Sequence, residues 1–221
     1  MKEGDFLRIA HDKMIRGDIY LPTDDSLMAE QFDCMEKLYD YNMTRPHEQE
    51  KRQQMLKEMF AEIGEDCYIE PPLHANWGGR HMHLGRNVYA NYNLTAVDDC
   101  DIYIGDFTMI GPNVTLATAN HPLAPELREK GYQYNLPIHI GKNVWLGSGV
   151  IIVPGVTIGD NSVIGAGSVV TKDIPENVLA FGVPCRVQRR LGDEDWEFYH
   201  KGRKMPDELK KLRRIGKETE V

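Results

Sequence analysis

A period of six governs the chain from Ile140 to Pro175. In that step the segment is IGKNVW, LGSGVI, IVPGVT, IGDNSV, IGAGSV and VTKDIP. Its first column is Ile140, Leu146, Ile152, Ile158, Ile164 and Val170, all aliphatic. Its fourth is Asn143, Gly149, Gly155, Asn161, Gly167 and Asp173, residue types that accept a positive φ or build turns. A helix repeats near 3.6 residues and a strand near 2, so a clean six describes neither alone. It describes a short strand followed by a corner. Three such sides close a triangular coil of about eighteen residues, with one aliphatic side chain per side on the axis. Successive coils stack strand on strand about 4.8 Å apart. The fold class is mainly β, a parallel β-helix.

The register starts near Ile63 with IGEDCY and IEPPLH, and is irregular from Trp77 to His83. It resumes at Leu84 with LGRNVY, ANYNLT and AVDDCD, slips by two residues at Ile102 and Tyr103, and continues through IGDFTM and IGPNVT. Residues 118–137, TANHPLAPELREKGYQYNLP, carry no aliphatic column. A loop of this length is functional or disordered, and here it protrudes from one corner of the coil. Residues 1–62 form a helical segment instead. Phe6, Leu7, Ala10, Met14 and Ile15 have helical spacing up to Gly17. A second helix starts after Asp24 or Asp25, with Leu27, Met28, Phe32, Met35 and Leu38 inward. A third opens at Pro46, turns Met55, Leu56, Met59 and Phe60 inward, and ends at Gly64. The coil spans 63–190, and 191–221 is a charged, partly helical tail.

The 221 residues suffice for one large domain or two small ones. A net charge of −8 argues against nucleic acid as a partner. No apolar run is long enough for a membrane span, and the start MKEGDFLRIAHDK lacks the apolar core of a secretory signal. Cys34, Cys67, Cys100 and Cys185 form no C-x-x-C pair, which points to a reduced, cytoplasmic setting without a zinc or redox motif. The glycosylation sequons at Asn42, Asn93 and Asn113 are then chance matches.

Spacing alone suggests one binding feature. Ser148 and Ala166 are 18 residues apart, one full coil, so they stack on one side. Small residues in such a column leave a groove parallel to the axis, where backbone groups can bond an extended ligand. Thr171 and Lys172 follow, and Arg186 and Arg189 lie on the exit strand, local cations suited to phosphate. Among eight histidines, His121 opens the loop where the register breaks.

His121-Pro122 followed by a loop, the run IGDNSVIGAGSVVTKDIPENV, GVPCRV, YANYNLTAVDDC and NVWLGSGV resemble the galactoside and maltose O-acetyltransferases, closer to the galactoside members. The resemblance spans about Asp12 to Arg190. It implies a left-handed coil, a homotrimer, and acetyl transfer from acetyl-CoA to a sugar hydroxyl, with no metal. It implies His121 as general base, since imidazole titrates near neutrality. Asn91 then serves the oxyanion or the sugar. Asp99 and Asn76 belong to the acceptor pocket, and Tyr89 is either a wall for the sugar ring or a packing residue between subunits. Ser148, Ala166, Thr171, Lys172, Arg186 and Arg189 contact CoA, with Trp145 flanking the groove. Glu126, on the loop, either orients the imidazole or is solvated. Trp77 either stacks on a sugar or buries an edge. The departures are on the acceptor side: Gln31, Asn76, Gln133 and Pro22 stand where the pattern has arginine, serine, methionine and aspartate, with Asp24 and Asp25 near the last. Two other readings keep the coil. One changes the acceptor, to an antibiotic or an oligosaccharide. The other resembles the γ-class carbonic anhydrases, with zinc held by His81 and His83 and by His121 or His139.

Overall fold

The computed structural model describes residues 3–23 and 25–215, with side chains described from Ala10 onward except at Ser26, Arg214 and Ile215. Asp24 and the side chains of Phe6 and Leu7 lie outside the described residues. Three sheets, their coil strands paired in parallel, form the sides of a prism. The first side stacks Glu62–Ile63, Met82–Leu84, Ile102–Ile104, Ile138–Ile140 and Thr157–Ile158. The second runs from Tyr68–Ile69 through Tyr89–Ala90, Met109–Ile110, Trp145–Leu146 and Val163–Ile164 to Val178–Gly182 and Cys185–Arg190. The third stacks His74–Ala75, Thr95–Val97, Thr115–Ala117, Ile151–Ile152 and Val169–Val170. Paired residues are 18 apart from His139 to Thr157, but 20 apart from Met82 to Ile102 and 21 from Glu62 to His83. The early coils are therefore wider, which is what the slip at Ile102 and the irregular Trp77 segment reflect.

All six first-column aliphatics are buried, each at 3% exposure or less. The axis holds a second column as well. Val144, Val150, Val156, Ser162 and Ser168, from the fifth column, are equally buried. Strand pleating explains why one inward residue per side is too few: Val144 and Leu146 point in on either side of outward Trp145. Serine is tolerated inside because its hydroxyl finds a carbonyl. Ser162 Oγ donates to Pro175 O at 2.7 Å and Ser168 Oγ to Gly165 O at 2.5 Å.

The corners match their residue types. Asn143, Gly149, Gly155, Asn161 and Gly167 all have positive φ, whereas Asp173 does not; its carboxylate instead accepts from Thr157 N at 2.8 Å. At one corner the amides form a ladder, Asn143 Nδ2 donating to Asn161 Oδ1 and Asn161 Nδ2 to Asn177 Oδ1, both at 3.0 Å. Phe107 also has positive φ, an unusual conformation for a bulky residue, with the Arg86 guanidinium 5.2 Å over its ring.

Helices α1 (Glu3–Arg16), α2 (Asp25–Asn42) and α3 (Gln49–Met59) precede the coil. The α1 stop at Gly17 holds, with φ of 77°. α3 ends at Met59, short of Gly64, with Phe60 already extended. The inward face of α2 differs from the expected stripe. Leu27, Leu38 and Tyr41 are buried, but Met28, Phe32 and Met35 are exposed. The helix docks by hydrogen bonds that constrain its rotation: Tyr41 Oη donates to Ile69 O at 2.6 Å, and the Asn42 amide both donates to Leu73 O and accepts from Leu73 N, at 2.8 Å each. Apolar spacing alone did not reveal which of two stripes those bonds select.

The excursion of 118–137 is ordered. Ala119–Asn120 pairs antiparallel with Tyr134–Asn135, and a short helix, α4 (Pro125–Glu129), closes its tip. Two compact units divide after Gln188. The second contains short helices and an antiparallel pair, Phe198–His200 with Arg203–Lys204, rather than a lone helix or a tail. All four cysteines are free thiols.

Backbone conformation at the corners yields a stability test. Asn143→Gly should leave the unfolding free energy within about 0.5 kcal/mol of wild type. Asn143→Val, forced to φ of 54°, should lose about 1–2 kcal/mol in denaturant titration.

Candidate active site

Two edges of the prism carry the candidate residues. The first, a smooth edge, joins the second side to the third. Gly149 N–H donates to Pro112 O at 2.9 Å and Gly167 N–H to Ser148 O at 2.8 Å, so Pro112, Ser148 and Ala166 stand one above another. Ser148 and Ala166 are both exposed. The coils approach closely here: a Cβ on Gly147 would lie 2.6 Å from Ala166 N, and one on Gly165 would lie 2.8 Å from Phe181 Cβ. Asn91 is on this same edge. Its N–H donates to Ile110 O at 2.9 Å, as Gly111 N–H does to Leu146 O and Gly147 N–H to Ile164 O. Tyr89 and Trp145 project from the adjacent second side, 37% and 53% exposed, with Met109 between them in register.

The second, a loop edge, joins the third side to the first. Asn76, Asp98, Asp99 and the excursion all leave the third side here. Asp99 is buried, and its carboxylate accepts from exposed Asn76 Nδ2 at 3.0 Å and from Gln133 Nε2 at 3.3 Å. Asn135 Nδ2 donates to the Asp99 carbonyl at 3.1 Å. Asp98 is fully buried and binds backbone: it accepts from Trp77 N at 2.8 Å and Gly79 N at 2.9 Å. Burial pushes its carboxyl up to about 6, against the pull of those amides. His121 is exposed on the loop. Its Nδ1 lies 2.8 Å from the Tyr132 carbonyl, which only accepts, so Nδ1 carries the proton and the Nε2 lone pair is free.

Thr171 and Lys172 also lie on the loop edge, exposed. The register pairs Ile152 with both Leu116 and Val170, which puts Lys172 two strand spacings, about 10 Å, above the root of the loop at Thr118. Arg186 Nη1 donates to Cys185 O at 2.8 Å. The Arg189 guanidinium is engaged by Asp195, at 2.9 and 2.6 Å to the two carboxylate oxygens.

Several expectations change. Glu126 is exposed on α4, and a main-chain carbonyl, not this carboxylate, holds the imidazole. Trp77 is 3% exposed, packed with Met14, Tyr20 and Leu27, which leaves no ring face for a sugar. His81 and His83 do not converge on one ion. His81 is buried with Nδ1 on Asp98 O at 2.6 Å, while His83 pairs with Asp101 at 3.1 Å on the outer face of the first side. Among the described residues no group of three or more His, Cys, Asp or Glu side chains is placed to hold a metal. No helix among them is long and apolar enough to cross a membrane. Sequence reading did not find the Tyr132 carbonyl or the Tyr20 hydroxyl, which accepts from Asn135 Nδ2 at 3.1 Å and from Gln133 Nε2. A carbonyl leaves no signal in a sequence.

Comparison with known proteins identifies the family of the chain. Residues 13–64 match the maltose acetyltransferase hexapeptide capping motif, and residues 137–172 match the six-repeat bacterial transferase hexapeptide. The galactoside O-acetyltransferase of Lactococcus lactis is 53% identical over 188 residues, 85% of this chain and 91% of that one. A solved galactoside acetyltransferase in complex with coenzyme A superposes with a TM-score of 0.84 at 47% identity, over 94% of this chain and 100% of that one. A hexapeptide-repeat-containing acetyltransferase of Vibrio cholerae complexed with acetyl coenzyme A gives 0.76 at 31% identity, over 82% and 98%.

Asp98 makes stability depend on pH with an uncommon sign. Its folded pKa of about 6 exceeds the ordinary 3.8, so the folded state binds the extra proton. Stability from this group is full below about 4 and lost as pH rises through about 6, by roughly 3 kcal/mol. Asp98→Asn cannot ionise, and should flatten that part of the stability–pH curve measured by denaturant unfolding.

Proposed function

The chain belongs to the galactoside and maltose O-acetyltransferases, acetyl-CoA-dependent enzymes with the left-handed β-helix, and we propose that it acetylates a sugar hydroxyl in clefts shared between three copies of the chain. The observation that carries this is the separation of the two edges. Ser148, Ala166 and Asn91 lie along the smooth edge; His121, Asp99 and Asn76 lie along the loop edge. One side of the prism, about 15 Å, stands between them. No single coil brings the thioester wall to its own imidazole. A closed ring of three brings the loop edge of one protomer against the smooth edge of the next. The third side, which spans both edges, then turns toward the axis; Ile151 is its exposed apolar residue, at 41%.

The chemistry follows from the donors and acceptors. Acetyl-CoA lies along Ser148 and Ala166 with Trp145 beside it, its phosphates drawn to Lys172 and Arg186, and Thr171 faces the same cleft. Arg189 stays paired with Asp195 within the second unit. The acceptor hydroxyl gives its proton to His121 Nε2 as its oxygen attacks the thioester carbonyl carbon. The tetrahedral oxyanion receives an N–H from the Asn91 amide. Collapse breaks the C–S bond, and His121 returns the proton to the CoA thiolate. Asp99 and Asn76 orient the acceptor, and Tyr89 lines its passage.

His121→Ala should lower kcat by about 10²–10⁴-fold with CoA binding retained, and Asn91→Ala by about 10²–10³-fold. Either variant alone is then nearly inactive. Co-refolded in equal amounts, they should regain about a quarter of wild-type activity, because about one cleft in four is intact. A mixture that stays inactive, or a monomer by light scattering, removes the shared cleft. The acceptor class has its own test. Free-thiol release with acetyl-CoA should respond to galactosides and glucosides and not to aminoglycoside or phenicol antibiotics; the reverse result moves the acceptor out of the sugars.

A further inference from the structure

We infer that Tyr20, on the segment between α1 and α2, is a positioning residue for the His121 imidazole; this rests on the reading of His121 as base. Tyr20 clasps the loop by main chain and side chain together. Its N–H donates to Gln133 O at 3.0 Å, and Gln133 N–H returns to Tyr20 O at 3.1 Å. Its hydroxyl accepts from Gln133 Nε2 and from Asn135 Nδ2. The residue it clasps adjoins Tyr132, whose carbonyl holds His121 Nδ1. Among the described residues no other group bonds the ring, since Asn120 Oδ1 accepts only from the His121 main-chain N–H. A shift of the Gln133 main chain therefore moves the carbonyl that selects the tautomer.

The clasp is rigid where it must be. Tyr20 is 3% exposed and Asn135 fully buried. Asn135 Nδ2 also bonds Met14 O at 3.1 Å, which ties the same loop strand to the end of α1. A Cβ on Gly17 would lie 2.6 Å from Asn135 O, so helix and loop pack backbone to backbone. Gln133 Nε2 reaches Asp99 as well, which couples the base-bearing loop to the acceptor carboxylate. The helical cap thus does more than cover the first coil: through one tyrosine it sets the hydrogen bond on which the Nε2 lone pair depends.

Tyr20→Phe keeps the ring and the main-chain bridge and removes the hydroxyl. It should lower kcat by about tenfold with the KM for acetyl-CoA unchanged. ¹⁵N NMR of the His121 ring should change from the Nδ1–H tautomer alone to a mixture with Nε2–H. In the His121→Ala background the same substitution should have no further effect on the residual rate. Gln133→Leu, which removes the amide from the other end, should reproduce the tautomer shift. If Tyr20→Phe keeps wild-type kcat and a single tautomer, the positioning role is overturned while the base stands. If His121→Ala itself retains activity, the base reading fails instead. An equal loss from Tyr20→Phe in both backgrounds would show a structural effect only, and would also overturn the proposal.

Discussion

Every feature of this molecule depends on main-chain hydrogen bonds made between successive coils rather than within them. Those bonds hold neighbouring coils one strand apart, so a residue is stacked on its counterpart one coil away whatever its side chain. Columns follow at once. Inside, they are aliphatic because they never meet water. At the corners they are Asn or Gly because the chain must turn through positive φ. Beside the corners they are glycine where a Cβ would strike the next coil, as at Gly147. The chain cannot depart from this at one position without disturbing the coil above.

The same constraint divides the site into a periodic part and an aperiodic one. Ser148 and Ala166 form a wall because stacking converts a one-coil spacing into contact. The coil fixes its side chains at one-strand steps, whereas the proposed base stands outside the repeat. His121 sits on an insertion, and its orientation comes from another part of the insertion, the Tyr132 carbonyl. Asp99 shows the two regimes meeting. Its place in the coil is periodic, as is that of its partner Asn76, but its second amide partner Gln133 lies in the loop.

This division also accounts for what the sequence revealed. The coil, its start near Ile63, the excursion and the Ser148–Ala166 column were legible because each is a statement about spacing. The inward face of α2 was not. Met28, Phe32 and Met35 are as apolar as Leu27 and Leu38, and the choice between stripes was made by Tyr41 and Asn42 bonding the first coil. Trp77 was left open between a sugar and a buried edge for a related reason: its burial depends on α1 and α2, which share no period with it. Glu126 was left open between orienting His121 and facing solvent, and the Tyr132 carbonyl that bonds the ring was not legible, because main-chain acceptors have no residue type to read.

A further consequence concerns how such a coil changes its substrate. The wall on the smooth edge is fixed by close packing at Gly147 and Gly165, where an added side chain meets backbone or Phe181. Substitution there disturbs the stack before it alters binding. The loop edge is constrained by side chains as well as by close approach at Gly17. Asn76, Gln133 and Tyr20 belong to three different segments, joined by side-chain hydrogen bonds that can be exchanged one at a time. Gln133 brings a buried amide to Asp99, and Tyr20 and Asn135 supply the polar surroundings that such an amide requires. In the proposed cleft the acceptor side therefore lies where the period breaks, and the thioester side lies where close packing constrains it.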